Sequence, residues 1–174
     1  MHNFLWSTLD AAAMQEIYWW RSHISNKSYD HRNEFKRLAA FLADVPLNRG
    51  GYADWAGEVD SPELRVVGQK NLAIGRLHLW IQNREHRWTL APGEKIPAVS
   101  GTVVVPGWPP NSSFEVDVID TYETPVRATR DRIRLQADAA GALRIPVRRL
   151  HTDFALKASL QSMRSPTGAL DSSR

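Results

Sequence analysis

Tryptophan is the residue type with the most chemistry to offer in this chain, with seven in 174 positions. Trp19 and Trp20, with Tyr18 and Trp6, make an aromatic cluster. Indole rings stack on the apolar faces of sugars, and their N–H groups donate hydrogen bonds. The same rings also fill cores. An exposed row that includes Trp55, Trp80, Trp88 and Trp108 would therefore mean ligand binding, and a buried set would mean packing.

Carboxylates and histidines offer less. Glycoside cleavage needs two carboxyl groups roughly 5 to 9 Å apart across a sugar. Glu16 is the acid beside the aromatic stretch, and a lone carboxylate cannot fill both roles; its plain reading is a solvated residue at a turn. Asp117 and Asp120 read as outward charges on a strand and the turn after it. The six histidines, His2, His23, His31, His78, His86 and His151, lack the spacing of a shared metal site. No nucleophile elbow or phosphate-binding glycine loop occurs. No cofactor is expected. Arg130, Arg132 and Arg134 form a basic ladder, which either grips an anionic polymer or is a solvated face that discourages edge pairing.

The totals bound the rest. A chain of this length buries roughly 70% of its unfolded surface, enough for one domain with an attached fragment. A formal charge of +3 is too small a basic excess for a nucleic-acid site. No apolar run approaches the roughly 20 residues of a membrane span, so neither nucleic acid nor membrane is an expected partner. There is no cysteine, hence no disulfide framework and no thiol nucleophile. Ala11-Ala12-Ala13 looks like a signal-peptide cleavage site, but nothing basic precedes it and Asp10 breaks the apolar stretch.

The elements that would position these residues follow from periodicity. Phe4, Leu5, Leu9, Ala12 and Ala13 have helical spacing, predicting a helix over 4–14 with Asn3 as N-cap. Glu16 to Trp20 reads as a strand, and Phe35, Leu38, Ala39 and Leu42 as a second helix, capped near Ser28 and ended by Pro46. After Asn48-Arg49-Gly50-Gly51 the composition turns β-branched, with strands near 64–69, 74–82, 101–105, 113–120, 129–136, 142–146 and 153–160. Leu77, Leu79 and Ile81 alternate with His78, Trp80 and Gln82 in what reads as a central strand, and Asn83-Arg84-Glu85 ends it in a turn near His86. The expected fold is mainly β: an antiparallel β-sandwich over 49–160, a preceding helix–strand–helix over 1–48, and a frayed tail over 161–174.

The order of features resembles the C-terminal part of cellulase-like glycoside hydrolases. His2-Asn3-Phe4-Leu5-Trp6, Tyr18-Trp19-Trp20 and Phe35 to Pro46 are similar to the last helix, strand and helix of a (β/α)8 barrel. Val67-Gly68-Gln69, Leu79 to Trp88, Phe114 to Thr121 and Asp153 to Lys157 are similar to the sandwich that follows that barrel. The likeness runs to about Leu160. Where the family pattern has a glycine-rich turn before its aromatic strand and an acid after it, this chain has Ala11 to Gln15 and Arg21.

The resemblance implies that the helix–strand–helix is a barrel remnant and that the acid/base and nucleophile glutamates belong to earlier barrel strands. The chain by itself is then a non-catalytic accessory portion that braces a barrel or binds a polysaccharide or oligosaccharide. Trp19 and Trp20 would contribute to a sugar cleft, with Trp6, His2 and Asn3 as further substrate-binding candidates. Its partner would be the missing barrel domain, or a second copy that pairs with the aromatic strand in a homo-oligomer. Such relatives are secreted or periplasmic. Sandwiches of this group also carry the label of collagen-binding domains, so a stand-alone module for a protein or glycan ligand is the alternative.

Overall fold

The computed structural model describes residues 1–10, 32–47, 50–87, 89–90, 93–123 and 129–161, and the side chains of all but 129 and 130 among them. Helix α1 (His2–Trp6) runs into a 3-10 turn (Ser7–Leu9), and α2 covers Arg32–Leu42. Among the described residues nine strands follow: β1 (Ala53–Asp54), β2 (Glu58–Val59), β3 (Leu64–Asn71), β4 (Arg76–Asn83), β5 (Val99–Val105), β6 (Ser113–Ile119), β7 (Thr129–Gln136), β8 (Leu143–Leu150) and β9 (Asp153–Leu160).

The strands form a six-stranded sheet of order β1-β3-β4-β9-β6-β7 and a three-stranded sheet of order β2-β5-β8, with every pairing antiparallel. Alternation sends Leu77, Leu79 and Ile81 of β4, Phe114 and Val116 of β6 and Leu156 of β9 inward. There they meet Val103 and Val105 of β5 and Leu143, Ile145 and Val147 of β8 in one apolar cluster. Fully burying a side chain of this size contributes roughly 1.5–3 kcal/mol, so this cluster is the main driving force for the sandwich.

The other face of the large sheet is covered as well. Trp6, Leu9 and Phe41 from the helical segment pack on Val67, Trp80, Ile119 and Ala155. β4 lies between β3 and β9 and is buried on both faces after Arg76, as a central strand should be. Close approach within β3–β4 needs Gly68, at φ 148°, because a Cβ there would stand 2.1 Å from the His78 carbonyl oxygen.

Three expectations change. The first helix starts at His2 and stops at Leu9, with Asp10 already extended, and Asn3 is inside it rather than capping it. Ser7 Oγ and Thr8 Oγ1 donate back to the Phe4 and Leu5 carbonyls, at 2.8 and 2.6 Å, which competes with regular helical bonding where the turn tightens. The second helix ends at Leu42, before Pro46, in a turn closed by Val45 N–H on the Leu42 carbonyl at 3.0 Å. β8 runs on past Pro146 to Leu150, with Arg149 at φ 49° beside a register shift against β5. The strand expected over Glu16–Trp20, the Ser28 cap, Trp88, the Arg130 side chain and the tail beyond Gln161 lie outside the described residues.

Candidate functional site

The densest polar constellation among the described residues centres on Asp153, the first residue of β9. Its side chain is fully enclosed. Strand register places it opposite Gln82, on the sheet face that also carries Trp80 and Ala155 and that the helices cover. The β8–β9 corner that delivers it is held by Asn83 at the end of β4. Asn83 Nδ2 donates to the carbonyls of Pro97, Leu150 and His151 at 2.8, 3.0 and 3.2 Å, and its Oδ1 accepts the Glu85 N–H at 3.0 Å.

Four donors converge on the carboxylate. Oδ1 accepts Trp80 Nε1–H at 2.9 Å, His2 Nε2–H at 3.0 Å and the Thr121 hydroxyl, and Oδ2 accepts the Tyr122 hydroxyl at 2.8 Å. His86 Nδ1 is 3.8 Å from Oδ2. Burial pushes the Asp153 pKa up, and the His2 bond and charge, with the Thr121 and Trp80 donors, more than offset it; the net shift is downward and the group is ionised at neutral pH. Burial and the adjacent Asp153 carboxylate push the Tyr122 hydroxyl upward, so it stays a neutral donor.

His2 joins this centre to α2. Its Nδ1 lies 2.8 Å from Glu34 Oε2, Glu34 Oε1 accepts Arg37 at 2.7 Å, and the imidazole stacks on Tyr122 at 4.1 Å between ring centroids. Asn3 Nδ2 donates to the His86 carbonyl at 3.0 Å, which Gln82 Nε2 also reaches at 3.1 Å. The sequence candidates His2 and Asn3 therefore sit in the joint between helix and sheet. Trp6 is there too, 0% exposed and edge-on to Phe41 at 5.2 Å. Trp19 and Trp20 lie outside the described residues.

The remaining aromatic and basic candidates have structural surroundings. Trp80 and Trp108 are buried, and Trp55 is half-buried against the sandwich core. Arg132 pairs with Asp117 at 2.7 Å and with Glu115 at 3.2 Å, so on this part of the ladder the cations face acids on β6. Asp120 Oδ1 caps the Tyr122 N–H at 2.8 Å. No group of three or more His, Asp or Glu converges as a metal site among the described residues.

Periodicity alone missed Asp153, Glu34, Thr121, Tyr122 and Asn83. The available signal was an acid at position 153 in phase with Ala155, on a face that helices 4–14 and 35–46 had to cover.

Chemically, the constellation is an anchor. The Asp153 carboxylate already accepts from four donors and its side chain is sealed from solvent, so a substrate proton has no route to it. The space between the Glu34 and Asp153 carboxylates is filled by the His2 ring, so no sugar lies between them as glycoside cleavage requires. A cleft of about 660 Å³ that reaches Tyr122 and Asp153 at one end opens between the sheets beside Val118, Ile133, Ile145 and Phe154, with exposed Arg148, Arg149 and Asp131 on its rim. It is the open side of the sandwich core, where the six-stranded sheet outreaches the three-stranded one. Comparison with protein-family models, with curated proteins and with solved structures found no match.

Proposed function

We propose that this chain is the C-terminal accessory portion of a glycoside hydrolase-like protein, non-catalytic by itself, in which the sandwich braces the last helical elements of a (β/α)8 barrel. The observation that carries this reading is the joint between the helical segment and the large sheet. A brace has to fix the position of what it holds. Here an apolar contact (Trp6, Leu9 and Phe41 on Val67, Trp80 and Ala155) is combined with a buried polar anchor, Glu34–His2–Asp153. Apolar area gives the joint strength, and the directional bonds give it one register.

The tryptophans favour bracing over direct sugar capture. A glycan platform needs exposed indole faces. Trp6 and Trp80 instead belong to the joint and Trp108 to the sandwich core. Any sugar contact in an intact relative would fall to Trp19 and Trp20.

Hydrolysis and binding measured side by side test this reading, on soluble and insoluble β-glucans, mannans and xylans, with a Trp19→Ala, Trp20→Ala double variant as control. The expected result is no turnover. Turnover that follows the protein through purification overturns the accessory reading. Binding that the double variant loses assigns the chain a carbohydrate-contacting role in addition to bracing.

A further inference from the structure

We propose that His2 is a pH-operated latch between the helical segment and the sandwich: as an imidazolium it ties α2 to β9, and as a neutral imidazole it lets that tie go. The inference rests on the reading of the large sheet as the docking face for the helices.

The geometry requires a cation. Both ring nitrogens face carboxylate oxygens, Glu34 Oε2 at 2.8 Å and Asp153 Oδ1 at 3.0 Å. An ionised carboxylate only accepts, so each nitrogen must donate, and a ring that donates from both nitrogens is protonated on both. A neutral ring has a single N–H. Its other nitrogen would point a lone pair at a carboxylate oxygen, and one of the two bonds would become a repulsion.

The surroundings fix how much this matters. The His2 side chain is 12% exposed, Glu34 18% and Asp153 0%, so water screens the cluster poorly. From α2, Glu34 faces the ring and Arg37 backs Glu34; from β9, Asp153 faces it; from the turn after β4, His86 stands 3.8 Å from Asp153; from the end of β6 come Thr121 and Tyr122. Glu34 and Asp153 are balanced by His2 and Arg37. Loss of the His2 proton leaves one enclosed negative charge without its counter-charge.

The direction of the pH effect follows. Burial lowers the His2 pKa, but the hydrogen bonds and charges of Asp153 and Glu34 outweigh it, and the net shift is upward from 6.5. A base raised by folding contributes its full hold below pH 6.5 and loses it as pH climbs through the raised value. Glu34 and Asp153 are both held below their ordinary 4.5 and 3.8, so the acid side of the latch fails only below those values. The latch is fully engaged in mildly acidic solution, below pH 6.5, and slackens as pH rises through the raised His2 value. Each unit by which docking raises the His2 pKa makes docking about tenfold weaker once the ring is neutral.

The test uses the full chain from pH 6 to 9, where His78, held near about 4 by burial and the Lys157 charge, stays neutral. Nitrogen NMR of labelled histidine follows the His2 ring, and amide exchange protection factors follow residues 2–9 and 32–42. The latch predicts a His2 midpoint above 6.5, with helix protection falling through that midpoint while β4 and β9 keep theirs. His2→Gln should remove the step, His86→Gln should keep it, and Glu34→Gln should move the His2 midpoint toward 6.5. A midpoint at or below 6.5, or a step that survives His2→Gln, overturns the latch. Helices protected equally at every pH also sink the latch but leave docking standing. Helices unprotected at every pH sink both.

Discussion

Removing the Asp153 carboxylate is the perturbation with the largest expected consequence. Asp153→Ala leaves the Trp80 indole N–H and the Thr121 and Tyr122 hydroxyls without their acceptor and strips the His2 imidazolium of one of its two carboxylates. Each orphaned buried donor costs about 1–3 kcal/mol, and removing one partner of a buried ion pair about 3–5 kcal/mol. These costs overlap, because Tyr122 and His2 reach the protein edge and can turn to water. A net loss of about 3–5 kcal/mol is expected, or roughly 10 °C in Tm for a domain of this size. Asp153→Asn is the informative companion. Its Oδ1 still accepts from Trp80, Thr121 and His2, and its Nδ2 can donate to the Tyr122 oxygen, so the shape and most bonds survive while the charge is lost. That variant should cost only about 1–2 kcal/mol and should lower the His2 pKa. Urea unfolding of the three proteins at pH 6.5 gives both numbers. An Asp153→Ala loss within 1 kcal/mol of zero, or Asp153→Asn as costly as Asp153→Ala, would refute the anchor.

Three further outcomes follow from the same joint. Trp6→Ala removes a 0% exposed indole between Phe41 and the sheet; a loss of about 3–5 kcal/mol is expected, with limited proteolysis cutting within residues 1–47 before the sandwich is touched. Asn83→Ala orphans the carbonyls that hold the β8–β9 corner and should cost about 2–4 kcal/mol by urea unfolding. His78 is buried and neutral, its pKa pushed down to about 4; an unfolded chain takes up that proton first, so stability should fall as pH drops below 6.5, by up to about 1.4 kcal/mol per pH unit, and His78→Phe should flatten that limb in pH-resolved thermal melts.

Much of the sandwich was legible in the sequence because its signal is local. Phe114, Val116 and Val118 against Glu115 and Asp117 carry their own period of two, and the observed β6 buries Phe114 and Val116 while Val118, Glu115 and Asp117 are half-buried. The interruption at Asn83-Arg84-Glu85 is likewise a local turn, closed by the Asn83 side chain and by the His86 N–H on the Asn83 carbonyl at 3.0 Å. The two-residue strands β1 and β2 are too short to show any period. The tryptophans were ambiguous for a different reason. Trp80 is on the face of β4 away from the sandwich core, and only the helices arriving from residues 2–9 and 32–42 decide that this face is closed.

The anchor was harder still. Its members stand at positions 2, 34, 80, 121, 122 and 153, so nothing in any short window brings them together. His2 and Asn3 entered as sugar-contacting candidates through a resemblance, and the structure places both in the joint, half-buried. Period-two reading did put position 153 in phase with Ala155, yet a charge in that phase reads as solvent-facing unless something covers the sheet.

Docking of the helical segment is the claim on which the rest depends, and amide exchange on the full chain at pH 6.5 measures it directly. The account predicts protection over residues 2–9 and 32–42 that approaches that of β4, and that Trp6→Ala abolishes while the sandwich strands keep theirs. Unprotected exchange over both segments in the unmodified chain would contradict it.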